Sequence, residues 1–439
     1  MSELIDFAAS AVTRALALGA EEAQARASQG SHVQITRRGG RVEQATEATT
    51  RGLVLSVLAG GRFTSNSTSD LRPEALDAFI RRCVEAASYI EPDPERALPA
   101  PEECGRGVSQ AALDQDDPAW RERTATERNT QAEALEQAMA SHADESTISS
   151  SVWVADGRQS VARVMSNGFA DQNEGAWFVA GADTTLRDGE KRPESGASYA
   201  ARHLSDLPDV QTIAREADQR ARERVGAAPI ESGSYPLVLA NRAAGRILGI
   251  LAGPLSGASL HQRRSCLAER VGTRIASPVL TLIDDPTIPR GLASQPWDGD
   301  GRIAQRRTII DSGVLQQYYV GTYHSRKLGM PATSTGRSNW VVPPGDRSWQ
   351  DVAAAWPRAI YVTSFLGGNS NAASGDFSFG IRGRLVENGV LTSSLGEMNV
   401  SGNLLELLER LVAVGDDPWT WSSVVSPTLL FDGVSFSGT

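Results

Sequence analysis

The stretch 241–257, NRAAGRILGILAGPLSG, predicts an amphipathic helix, and it contains no histidine, cysteine, aspartate or glutamate. Zinc binds imidazole, thiolate or carboxylate donors, so no side chain here can serve as a first ligand. Just upstream, GAAPIESGSYP (226–236) clusters proline and glycine and is the natural domain boundary. This divides the chain into an N-terminal domain, 1–225, and a C-terminal domain, 226–439. Beyond Leu280 most segments read as short strands and turns. The exceptions are helices near 347–355 and 403–412, so the second domain is expected to be β-rich.

The N-terminal half alternates helix and strand signals. Leu4, Ile5, Ala8, Ala9, Val12, Ala15 and Leu16 recur at helical spacing over 3–18, and Gly19 ends the run. Extended segments follow over 23–69, broken at Gly39-Gly40 and Gly60-Gly61, which suit hairpin turns. RPEALDAFIRRCVEAASYI (72–90) is again helical, with Pro73 near its first turn. The proline- and acid-rich 91–104 reads as a solvated linker or surface loop. A helix near 124–142 precedes strands expected at 147–156, 159–166, 174–187 and 195–203, repeating the helix-and-meander order. A helix over 210–226 leads into the boundary. The fold class is therefore α+β, with a helix-and-β-meander domain followed by a β-rich domain.

Composition bounds the function. The 439 residues are 40% apolar and 22% charged, enough for a buried core. The net charge of −10 argues against a general nucleic-acid or acidic-membrane binder. The N-terminus carries Glu3 and Asp6 where a signal peptide is positive, and no apolar run reaches membrane-spanning length. Cys83, Cys104 and Cys266 are odd in number and widely spaced, which points to free thiols in a reducing compartment. A cytoplasmic location is expected.

Several constellations have a chemical and a plainer reading. Asp298-Gly299-Asp300-Gly301 begins like a calcium loop, but Ile309 stands where the loop's last carboxylate belongs, so it reads as a turn. Asp284 and Asp285 are neighbours on a strand end and point apart, a poor acid–base couple. GGNSNAASGDFSFG (367–380) lacks the spacing and the lysine of a phosphate loop. No G-x-S-x-G elbow surrounds Ser378. The five histidines form no i,i+3 or i,i+4 pair. Cys266, with Arg263, Arg264 and Arg270 close in sequence, is the one nucleophile candidate, against the plainer reading of a small buried thiol. Trp340, Trp349, Trp356, Trp419 and Trp421 suit either a partner interface or the core.

The sequence around the helix carries a family resemblance. YPLVLANRAAGRIL (235–248), the run 277–330, TGRSNWVVPPGD (335–346), IYVTSFLGGNSNAASGDFSFGIRGRLVENGVL (360–391) and VSPTLLFDGVSFSGT (425–439) resemble the C-terminal half of the TldD/PmbA proteins. In the catalytic, TldD-type branch the helix carries His-Glu-x-x-Gly-His. Aligned through Gly253, Gly249 and Pro254 stand at the histidine positions and Ile250 at the glutamate position. The family's third ligand is a cysteine near the C-terminus, whereas the last cysteine here is Cys266. These two departures resemble the PmbA branch, also called TldE.

The resemblance implies a non-catalytic subunit with no metal of its own, paired with a TldD-like chain that carries zinc. The heterodimer is expected to act on flexible peptides or small amides, with this chain completing the walls of the cleft. Asn339, Gly375 and Asp376 are the residues expected near that cleft. Three other readings stay open: a subunit of an N-deacylase or peptidase complex in natural-product biosynthesis, an independent hydrolase using Cys266, and a non-enzymatic binding protein. Neither nucleic acid nor membrane is an expected partner.

Overall fold

The computed structural model describes residues 3–438. Helix α1 (Glu3–Ala17) buries Ala8, Ala11, Val12 and Ala15 along one face. Strands β1 (Glu22–Arg38), β2 (Arg41–Ala59) and β3 (Arg62–Thr68) form a meander. Its two hairpins turn at Gly39-Gly40 and Gly60-Gly61, all four with positive φ, as two-residue turns of this hand require. Helix α2 (Pro73–Ala87) follows, then two single-turn helices, α3 (Gln110–Leu113) and α4 (Ala119–Glu122). Helix α5 (Ala125–His142) starts at a capping box of Thr124 and Glu127. The second meander is β4 (Thr147–Met165), β5 (Ala170–Leu186) and β6 (Glu194–Ala201), followed by α6 (Val210–Arg222) with Asp209 as its cap.

The two meanders join through β1 and β4 into one antiparallel sheet of order β3-β2-β1-β4-β5-β6. Helices α1 and α2 cover one half with Leu53, Leu55 and Phe79, and α5 and α6 cover the other with Leu135, Val152 and Ile213. One expectation fails here: 147–165 is one strand, without a turn near residue 157. Gly157 faces Trp177 across the ladder, and a Cβ on it would lie 2.7 Å from that ring. The glycine makes room for an aromatic neighbour on the next strand, as Gly181 does for Trp153.

The C-terminal domain is built on a central strand, β7 (Gly233–Leu239), followed by α7 (Asn241–Leu248) and α8 (Gly257–His261). A small sheet holds β8 (Leu282–Asp284), β9 (Arg307–Asp311), β10 (Val314–Leu315), β11 (Trp340–Val341) and β16 (Val424–Val425). The larger sheet holds β7 with β12 (Ala359–Ser370), β13 (Asp376–Glu387), β14 (Val390–Asn403), β15 (Leu411–Val414) and β17 (Leu429–Ser437). It curls until β14 pairs with β17 as well as with β13. The long strands 359–403 correct the expectation of short ones. Helices α9 (Thr322–Leu328), α10 (Trp349–Ala353) and α11 (Leu404–Glu409) are brief, and α9 had no expected counterpart.

Trp419, tilted, and Trp421, edge-on, pack against Tyr199 of β6 and so join the two domains, while Trp340 and Trp349 are buried. The loop before α3 is bound to the C-terminal domain by Asp93 with Lys327 (2.8 Å) and Glu103 with Arg302 (2.5 Å). Among the described residues no helix is long and apolar enough to cross a membrane.

Candidate functional site

The site is assembled where β7 delivers the chain to α7. Leu237, Val238 and Leu239 are fully buried, which places the start of α7 at the edge of the core. Asn241 Nδ2 donates to the Asp417 carbonyl at 2.8 Å and anchors that end. The helix buries Ala243, Ala244, Ile247 and Leu248 and leaves Arg242 and Arg246 on its other face. It does not run on to residue 257. The backbone tightens into a 3-10 turn over Gly249–Ala252, because Pro254 has no N–H and its ring crowds the preceding turn. A separate helix, α8, then starts from the Ser256 hydroxyl, which accepts from Ser259 N at 3.2 Å.

The three positions aligned with the metal motif offer no donor. Ile250 and Leu251 belong to the apolar core, Pro254 is buried, and a Cβ on Gly249 would meet open space. Such a set cannot hold zinc. Among the described residues no group of three or more His, Cys, Asp or Glu side chains is placed to hold a metal ion. His261 and His324 do approach each other, with ring centroids 6.2 Å apart, although 63 residues separate them in sequence. Burial and the neighbouring His261 lower the pKa of His324.

The glycine-rich segment closes over this region. Gly253 would bring a Cβ to 3.2 Å from Ala372, and Cys266 N donates to the Ala372 carbonyl at 2.9 Å. Gly375 is buried at φ +83° beside the Cys266 sulfur. Asp376 is exposed and accepts from Asn403 Nδ2 at 3.1 Å. Hydrogen bonds from Ser374 and Asn403 hold its carboxyl below the usual range. Burial pushes the Cys266 thiol up, outweighing its own backbone N–H and Arg270, and Asp376 adds to the rise.

The turn that carries Gly375 and Asp376 therefore packs against Gly253 and Cys266, just after the metal-motif positions in the chain, whereas Asn339 is committed to the 285–294 loop. Asn339 is 1% exposed. Its Nδ2 donates to the Asp285 carbonyl and the Ser294 hydroxyl, both at 2.8 Å, and its Oδ1 accepts from Ala293 N at 2.8 Å. Asp298 is committed in the same way. Its carboxylate accepts from the backbone N–H groups of Asp300, Arg302 and Thr335, as the turn reading requires.

Sequence reasoning missed the cavity beside α7. A space of about 1230 Å³ opens between residues 188–224 of the N-terminal domain, with Ala227 and Pro229 of the connecting segment, and the α7, β12, β13 and β14 side of the C-terminal domain. Arg220, Arg224, Arg242, Arg246, Arg382 and Arg384 all line it. The available signals were the i,i+4 pair 242/246 on a helix and the i,i+2 pair 382/384 on a strand, each of which puts two cations on one face.

Comparison with known proteins agrees with this architecture. A family model described as PmbA/TldA metallopeptidase C-terminal domain matches residues 232–438, and one described as PmbA/TldA metallopeptidase domain 1 matches 23–87. Metalloprotease PmbA of Escherichia coli O157:H7 is 27% identical over 436 residues, spanning 98% of this chain and 95% of that protein. A crystal structure from Bacteroides thetaiotaomicron, described as a candidate modulator of DNA gyrase, matches with TM-score 0.95 at 33% identity over 100% of both chains. TldE from Thermococcus kodakarensis shares the fold, with TM-score 0.85 at 19% identity over 98% of this chain and 100% of that one.

Proposed function

This chain belongs to the TldD/PmbA metallopeptidase family, and we propose that it is the zinc-free subunit of a heterodimer whose zinc sits on a TldD-like partner. The observation that carries the reading is the metal-motif segment: Gly249, Ile250 and Pro254 bring no donor, and the backbone there is a 3-10 turn. The partner's zinc would supply Lewis-acid activation of a water for amide hydrolysis. This chain's part is to complete the walls of the cleft, exclude bulk water and folded proteins, and help select flexible peptides or small amides. A cytoplasmic complex serving protein turnover or natural-product biosynthesis both fit this role.

The rival reading, an independent hydrolase using Cys266, is weakened by the burial that raises its thiol pKa, since the thiolate is the nucleophile. The test is native mass spectrometry of the chain captured from its own cell extract. A one-to-one complex with a second chain of similar size and one zinc, lost when the partner is stripped away, is the expected result. A metal-loaded monomer or homodimer of this chain would refute it.

A further inference from the structure

The cavity beside α7 is strongly basic in a chain whose net charge is −10. Eight of its lining residues are Lys or Arg and three are Asp or Glu. Two of these cations have ordinary structural partners, Arg220 with Glu216 at 2.5 Å and Arg384 with Glu223 at 3.3 Å. The others make no ion pair among the described residues; Glu216 and Glu223 act on Arg242, and Glu194 on Arg224, only from longer range. Arg242 reaches only the Thr363 carbonyl, at 3.4 Å, and Arg246 lies over the Phe379 ring at 4.8 Å. The Nε atoms of Arg382 and Arg384 are buried without a hydrogen-bond partner. Like charges also adjoin here, Arg220 with Arg242 and Arg224 with Arg382, and each pairing opposes the charged state. Gathering unpaired guanidinium groups in a half-enclosed space is unfavourable unless an anion joins them.

We propose that this cavity binds acidic peptide segments, with Arg242, Arg246 and Arg382 meeting the ligand's carboxylates. The guanidinium fork matches a carboxylate bidentately. The cations are spread over α6, α7 and β13 and do not converge on one point, which suits several separated charges better than a single phosphate. Phe365, Ile381, Leu395 and Trp419 also line the cavity and give it an apolar part. Strand β12 adds a backbone surface. It pairs with β7 only from Ile360 to Val362, so from Thr363 onward it has β13 on one side and, among the described residues, no strand on the other. An extended peptide can use such an edge.

This proposal rests on the reading of the assembly as one that acts on flexible peptides. Its test uses this chain alone, so the loss of either reading leaves the other measurable. The full chain is titrated, by fluorescence anisotropy, with a labelled peptide of about ten residues alternating Glu and Gly, and with its Gln counterpart, at low and at high salt. The Glu peptide is expected to bind at least about tenfold tighter at low salt, and the difference is expected to shrink as salt rises. Arg242→Gln and Arg382→Gln are each expected to weaken the Glu peptide about threefold to tenfold, while Arg41→Gln, far along β2, changes nothing.

Circular dichroism checks that each variant is folded. If Arg242→Gln is not, Arg246→Gln carries the test, because that side chain is exposed and rests only on Phe379. Equal binding of the two peptides, or variants without effect, overturns the proposal. So does tripolyphosphate that binds and cannot be displaced by the Glu peptide, which would reassign the cavity to a phosphate ligand.

Discussion

Gly375 shows how much one residue's backbone decides. It sits at φ +83°, and a Cβ there would lie 3.2 Å from Asn403 Nδ2 and 3.4 Å from the Cys266 sulfur. Gly375→Ala is expected to destabilise the chain by about 1–2 kcal/mol, read as a lower urea midpoint. An unchanged midpoint would show that the turn tolerates a side chain. Asp376, one residue on, opens β13 and accepts from Asn403 Nδ2. What could not be read was that Gly375 and Cys266, 109 residues apart in sequence, are neighbours in space, with no room between them for more than a methyl group. Asn339 shows the reverse: a polar residue in a family-like stretch whose side chain is wholly engaged in holding the 285–294 loop.

At the scale of elements, periodicity identified most helices and strands, and it failed where glycine or proline has more than one use. Gly157 suggested a turn but lies mid-strand under Trp177, and Pro254 splits what periodicity alone reads as one helix. Beside Gly157, Asp156 is fully buried on β4 and accepts from both Arg123 and Arg128 at the start of α5, at distances of 2.7 to 3.0 Å. Removing it leaves two buried guanidinium groups without their counter-ion. Asp156→Ala is therefore expected to lower unfolding free energy by about 3–5 kcal/mol in chemical denaturation. A loss below about 1 kcal/mol would mean that water replaces the carboxylate there.

For the whole molecule, the two domains are held by charged clasps as well as by Tyr199 against Trp419 and Trp421. Asp93 accepts from Lys327 and from the Tyr323 hydroxyl, each at 2.8 Å, and Lys327 chiefly holds its pKa down to about 2 from 3.8. Because the folded pKa is the lower one, the clasp stabilises fully above the unfolded value and is lost as pH falls through the folded value. Asp93→Asn is accordingly expected to be less stable than the parent at neutral pH, by no more than about 1 kcal/mol for a partly exposed pair. The gap should close between about pH 4 and pH 2. Thermal melts of both proteins across that range check it, and a gap independent of pH would assign the effect to packing.

The sequence by itself determined the α+β class, the two hairpin turns at Gly39-Gly40 and Gly60-Gly61, the family resemblance and the absence of metal donors at 249, 250 and 254. These are properties of local spacing and side-chain chemistry, so they are written in order along the chain. Only the tertiary structure decided that β14 returns to β17, that Gly375 lies beside Cys266, and that arginines from α6, α7 and β13 face one cavity. Each of those depends on how distant segments pack, and sheet closure and charge convergence arise from pairings that no local window of residues contains.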